Sequence, residues 1–301
     1  MEEKGKKGRM DYTLLLIVVL LVVIGLVILY STSAYNGQVK FHDSFYYLKK
    51  QAFATVLGIV LMLFVAGMDY HIWQRLAVFG YLAAVALSVA VMLFGREING
   101  SKRWLALGPF SFQPSEFAKV ALILFLADLV TKNVKTIGKM WTLCRIMFWI
   151  LPIVGLVGAS NLSTAIIILG IGVILIFVAS PKYAQFALMG IAGACFMGIF
   201  LALESYRLER LAIWRNPEKY EKGYQTLQGL YAIGSGGVFG VGIGNSVQKL
   251  GFVPEAQNDM IFSIICEELG LAGAGIIVFL FLLLIWRFFL IASGSRDLFG
   301  A

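Results

Sequence analysis

Four carboxylates stand within the stretch "PEAQNDMIFSIICEELG", Pro254 to Gly270: Glu255, Asp259, Glu267 and Glu268. They precede the apolar run "LAGAGIIVFLFLLLIW". Carboxylates beside hydrocarbon are costly, and they mark polar cavities, buried ion pairs or sites of chemistry. One placed at a membrane entrance can act as a general base toward a hydroxyl. If the last helix begins near Asp259, that residue sits at its mouth, and Glu267 and Glu268 lie roughly 12 Å deeper at 1.5 Å per residue. Capping of the helix by Asp259 is the plain structural alternative, because a carboxylate there gains from the macrodipole. Capping leaves Glu267 and Glu268 unexplained.

Two other stretches gather polar residues. In "GREINGSKRWLALGPFSFQPSEFAK", Arg96, Lys102, Arg103 and Trp104 precede a turn at Gly108-Pro109 and a helix that starts at Pro114. Proline suits a first helical position, where its missing N–H would be unpaired in any case. Glu116 and Lys119 are three apart and share a face, as a mutually neutralising pair or as the lining of a polar cavity. In "ESYRLERLAIWRNPEKYEKGYQTLQGLYAIGSGGVFGVGIGNSVQKL", Arg207, Arg210 and Arg215 recur beside Leu208, Leu211 and Trp214. That pattern predicts an amphipathic helix on the membrane surface, its arginines snorkelling or binding phosphate. The glycines at 234, 236, 237, 240, 242 and 244 contain a G-x-G-x-x-G match. It lacks the strand–turn–helix context of a dinucleotide site, so close backbone approach to a ligand or a helix is expected instead.

The elements that must position these residues are membrane helices. The 301-residue chain is 59% hydrophobic and only 14% charged, where a soluble domain keeps about a quarter of its residues charged. Spans of roughly 20 apolar residues are expected near 12–30, 52–68, 76–94, 116–130, 146–159, 164–180, 183–203 and 261–291. The fold class is thus an all-α polytopic bundle of about eight transmembrane helices with one long loop, 204–260. The first run, "YTLLLIVVLLVVIGLVILY", is long enough to span and is not read as a cleaved signal. With the N-terminus inside, the inner short segments collect about twice as many Lys and Arg as the outer ones, which orients the protein. The loops at 95–115 and 204–260 are then extracytoplasmic.

The net charge of +8 reflects this bias and does not indicate nucleic-acid binding, since the basic clusters lack interleaved aromatics. Cys144, Cys195 and Cys266 are far apart, and His42 and His71 are the only histidines. Neither a zinc site nor a disulfide framework is supported. No inverted pair of Gly/Pro-broken helices of the transporter kind stands out.

The runs "NGSKRWLALGPFSFQPSEFAK", "YRLERLAIWRNPEKYEKGYQTLQGLYAIGSGGVFGVGIGNSVQK" and "PEAQNDMIFSIICEELGLAGA" together resemble the SEDS family (shape, elongation, division and sporulation), which includes RodA, FtsW and SpoVE. Order, spacing and membrane placement agree over most of the chain. The "GNSVQK…PEA" wording is closer to the division branch, FtsW, than to RodA. The resemblance implies a single membrane domain over 1–301, in a bacterial cytoplasmic membrane, that polymerises lipid II into peptidoglycan at the outer face. It implies work beside a class B penicillin-binding transpeptidase and other divisome or elongasome proteins, in contact with membrane lipids. The family's catalytic acid falls on Asp259, with Glu255 in the loop that delivers it. Lys119, Arg207 and Arg210 fall on family positions, and with Arg103, Glu116 and Glu255 they form the expected substrate-binding set. Glu267 and Glu268 are expected to be structural.

Two departures matter. The family pattern "QPDLGTA" reads "ASNLSTA" here, so its Asp is Asn161 and pairing of Lys119 falls to Glu116. The family has about ten spans against about eight here, so a fragment lacking the C-terminal transmembrane pair is expected.

Lipid II carries an α-linked sugar on pyrophosphate and the polymer is β-linked, so one inverting displacement with one base suffices. Cations, with a divalent ion (Mg or Mn) as an option, would neutralise the leaving pyrophosphate. Two rival readings are a flippase for lipid-linked precursors, which needs a polar path through the bundle, and a scaffold that activates the transpeptidase without catalysis. Charges concentrated at the outer face favour chemistry there.

Overall fold

The computed structural model describes residues 10–98, 101–107, 110–180, 182, 184–187, 190 and 212–301. In chain order the described elements are α1 (Tyr12–Phe41), α2 (Tyr46–Ala66), α3 (His71–Phe94), β1 (Arg96–Ile98), β2 (Ser101–Leu107), β3 (Phe110–Phe112), α4 (Pro114–Asn133), α5 (Met140–Gly158), α6 (Leu162–Ala179), α7 (Tyr224–Ser235) and α8 (Ile261–Ser293). Helices α1, α2, α3, α5, α6 and α8 are each long and apolar enough to cross a membrane. Helix α4 matches them in length but carries Glu116, Lys119, Asp128 and Lys132. The span expected at 183–203 lies largely outside the described residues, as do Arg207 and Arg210.

The chain divides into two compact units, Met1–Gly67 with Ile199–Gly294, and Met68–Gly198 with Ser295–Ala301. In the first, α1 runs antiparallel to α8. Arg287 near the end of α8 pairs with Asp11, which also caps α1 by accepting from the Leu14 N–H at 2.9 Å. At the other end of α1, Ser31 reaches Glu268 in the first turns of α8. Ile28, Ile265, Cys266, Ala274 and Ile277 fill the seam between them. Helix α2 packs on α1 and buries none of its residues, consistent with a lipid-facing span.

In the second unit α3, α4, α5 and α6 bundle around Leu122, Leu126, Ile146, Ile150, Ile153, Ile168 and Ile176. Small residues let these helices approach closely: a Cβ on Gly172 of α6 would lie 2.6 Å from Ile150 of α5. The buried Tyr81 hydroxyl donates to the Trp149 carbonyl at 2.8 Å, so it keeps a partner away from water.

Two features depart from the sequence reading. The expected loop at 95–115 carries a three-stranded antiparallel sheet in the order β1-β2-β3, with Leu105 opposite Phe112. A search for long apolar runs passes over such short strands. The last span is also not one helix. Gly270, at φ 67 and ψ −170, breaks α8 into two segments.

Candidate functional site

The break in α8 explains the glycine-rich run. A non-helical residue frees carbonyls before it and N–H groups after it, and in a bilayer these must be satisfied by protein. The Glu267 and Glu268 carbonyls accept from the N–H groups of Val241 and Gly242, both at 2.9 Å. The N–H groups of Leu271 and Ala272 donate to the Gly237 and Val238 carbonyls, both at 3.0 Å. Segment 236–242 therefore lies in the break as a backbone ladder. Side chains have no room there: a Cβ on Gly240 would stand 2.2 Å from the Glu268 carbonyl oxygen, and one on Gly270 would stand 2.4 Å from that of Val238. The close approach that the glycines serve is to a helix of the same chain.

From this ladder a strap, residues 243–260, leads to the start of α8. Its first fastening is Glu267, 3% exposed, whose carboxylate accepts from the Ser246 hydroxyl and from the Val247 N–H at 3.1 Å. Its second is a buried ion pair. Lys249 Nζ lies 2.7 Å from Glu268 Oε1, with side-chain exposures of 8% and 0%. The Ser31 hydroxyl of α1 accepts from Lys249 at 2.9 Å and donates to Glu268 at 2.7 Å. A cavity of about 350 Å³, lined by Val27, Tyr30, Ser31, Tyr35, Ile243 and Lys249 among others, opens beside this pair. Further on, Asn36 of α1 donates to Gln257 at 3.0 Å, and Val253 and Ala256 pack with Ala232 and Ile264.

The strap ends in the acids. Glu255 adopts a left-handed conformation, φ 53, which a non-glycine residue holds only when its surroundings impose it. Its carboxylate accepts from Asn258 Nδ2 at 2.6 Å. Asp259 is exposed and has no hydrogen bond or ion pair among the described residues. It does not cap α8: the N-cap is Met260, with no side-chain cap bond, because the helix begins two residues later than Asp259. The capping alternative is thereby corrected.

The other described candidates lie in the second unit. Lys119 and Glu116 form an ion pair at 2.8 Å on the first turns of α4, with Glu116 58% exposed; so open a pair adds little stability. Arg103 donates from Nε to the Ser160 carbonyl at 3.1 Å. With Gln113, Ser115 and Asn161 it lines a pocket of about 10 Å³, room for roughly one water. Asn161 caps α6, its side chain accepting from the Thr164 N–H at 3.2 Å. Among the described residues no group of three or more His, Cys, Asp or Glu is arranged to hold a metal ion.

Sequence reasoning passed over Lys249, Ser31 and Asn36. The signal for Lys249 was a lone cation in an otherwise uncharged stretch, "GNSVQKLGF", just before four acids. Its partner is far away on α1 as well as on α8, and no local spacing rule reports such a pairing.

The chain as a whole is similar to several known proteins. The sequence model of the FtsW/RodA/SpoVE group, described as "Cell cycle protein", matches residues 12–301. Stage V sporulation protein E of Bacillus subtilis (strain 168) is 38% identical over 309 residues, covering 98% of this chain and 82% of that protein. A probable peptidoglycan glycosyltransferase FtsW of Trichlorobacter lovleyi is 34% identical over 296 residues, covering 96% of this chain and 78% of that protein. Among solved structures, a chain of a peptidoglycan synthase complex that coordinates polymerization and crosslinking superposes with a TM-score of 0.77 at 28% identity, covering 96% of this chain and 80% of that one. The rod shape determining protein RodA of Thermus thermophilus superposes with a TM-score of 0.68 at 26% identity, covering 96% and 77%.

Proposed function

The chain belongs to the FtsW/RodA/SpoVE cell cycle protein family, and from that premise we propose that it is a peptidoglycan glycosyltransferase whose general base is Asp259. It is a multi-pass membrane protein. It polymerises lipid II for septal or elongation wall synthesis, at the outer face of the bacterial cytoplasmic membrane and beside a transpeptidase partner of the class B penicillin-binding type.

One observation carries the assignment of the base. Of the four acids, Glu255 is bonded to Asn258, Glu267 to Ser246 and backbone, and Glu268 to Lys249 and Ser31. Asp259 alone among them is exposed with no partner among the described residues, so its carboxylate is free to receive a proton. The antiparallel pairing of α1 and α8 puts the strap at the far end of α1 from Asp11. With the N-terminus cytoplasmic, as the charge bias favours, Asp259 then faces outward.

In the reaction the acceptor hydroxyl oxygen attacks the anomeric carbon of the donor. The bond from that carbon to the pyrophosphate oxygen breaks, the centre inverts, and the hydroxyl proton passes to Asp259. Effective catalysis requires the carboxylate within hydrogen-bond reach of that hydroxyl. Arg103, Lys119, Arg207 and Arg210 are the cations proposed to bind the pyrophosphate. For a divalent ion, Mg or Mn, no group of three or more His, Cys, Asp or Glu is assembled among the described residues.

The test is polymerisation in detergent, where no compartments exist and a flippase has nothing to transport. The purified chain with its transpeptidase partner should convert lipid II into glycan strands resolvable as a ladder on a gel. Absence of any polymer from a folded complex would return the chain to transport or scaffolding.

A further inference from the structure

We infer that Lys249 and Glu268, bridged by Ser31, are a positioning pair for the transfer, holding the 243–260 strap so that Asp259 meets the acceptor hydroxyl. This rests on Asp259 being the base. Because the Asp259 carboxylate is exposed and makes no hydrogen bond or ion pair among the described residues, its location is set by the backbone that carries it. That backbone is fixed on one side by α8 itself and on the other by the strap. Along the strap the apolar contacts of Val253 and Ala256 and the Gln257–Asn36 bond are neutral. Two charged groups fasten it with direction: Glu267 holds its start at Ser246 and Val247, and Lys249 ties it to Glu268 and, through Ser31, to α1.

The pair sits where three elements meet. Lys249 comes from the strap, Glu268 from the first segment of α8, and Ser31 from α1. Lys249 is 6% exposed and Glu268 is 1% exposed, and each spends its charge on the other and on Ser31. A buried ion pair is poor evidence for stability, because well-packed apolar residues of similar volume often serve equally well. What apolar residues lack is direction. The cavity of about 350 Å³ bordered by Ser31, Lys249 and the neighbouring strap residues Ile243, Gly244 and Leu250 leaves that part of the strap loosely packed, so steric fit alone does not define its position. The hydrogen-bonded charges do.

The test uses the full chain with its transpeptidase partner and lipid II, reading kcat, KM and thermal stability together. The double variant Lys249→Met/Glu268→Leu removes both charges and leaves neither one orphaned. A folded double variant with a wild-type KM and a kcat lowered about tenfold or more supports the positioning role, since misplacement by ~1 Å is enough for such a loss. A kcat within twofold of wild type overturns it. Should the double variant fail to fold, Ser31→Ala takes its place, since it deletes one hydroxyl that bonds both charges. There a loss of kcat of about threefold or more at unchanged KM supports the role, and a wild-type kcat overturns it. Asp259→Asn is measured alongside. A wild-type rate in that variant refutes the base and with it the positioning role. An inactive Asp259→Asn beside a fully active double variant refutes the pair alone.

Discussion

Glu255, Glu267 and Glu268 each spend their carboxylates on named donors, and Asp259 keeps all of its acceptor capacity for solvent or substrate. If Asp259 is the proposed base, side chains of one type separate into structure and chemistry by their partners. Asn161 falls on the structural side, since its amide oxygen satisfies one of the N–H groups orphaned at the start of α6. Asn161→Ala should cost about 1 kcal/mol of stability, measured by thermal unfolding, while Asn161→Asp should restore it. Asp297 offers a pH-dependent case outside the membrane spans. The Tyr70 hydroxyl, donating at 2.6 Å, and then the Gly300 N–H, at 2.7 Å, hold its carboxyl below the usual carboxylate value. A depressed folded pKa stabilises above the unfolded value of about 3.9 and loses that contribution as pH falls through the folded one. Amide protection over residues 297–301 should therefore drop as pH falls below about 4. In Asp297→Asn it should be low and lack that acid transition.

At the scale of elements, the break at Gly270 and the ladder laid into it decide where the strap begins. Gly270→Ala would put a Cβ 2.4 Å from the Val238 carbonyl oxygen at a φ of +67, combining a clash with a strained backbone. A loss of roughly 2–4 kcal/mol is expected on unfolding. Gly275→Ala in the same helix meets nothing within 4 Å and should be neutral or stabilising by up to about 1 kcal/mol. Equal effects of the two substitutions would contradict the ladder. Most helices were legible as apolar runs, because hydrocarbon thickness sets their length. The break was not, since Gly270 stands beside Gly273 and Gly275 in an unbroken apolar run, and only φ distinguishes it. The sheet at 96–112 escaped for a related reason, being too short and too polar to register as a span.

For the whole molecule, the family was legible because three long stretches keep their order and spacing. The fastening of the stretch that leads into the last span was not legible, because Lys249, Glu268 and Ser31 come from separate parts of the chain. Pairing across such distances is a property of the folded bundle, and helical spacing rules speak only for neighbours three or four apart. The central claim is that one free carboxylate on a fixed strap removes the acceptor's proton. It is tested most directly by the rate of lipid II polymerisation by Asp259→Ala against wild type, at equal amounts of folded chain and with the transpeptidase partner present. Loss of about 10²-fold or more in rate, with lipid II binding retained, is the expected result. Glycan made at near the wild-type rate would contradict it.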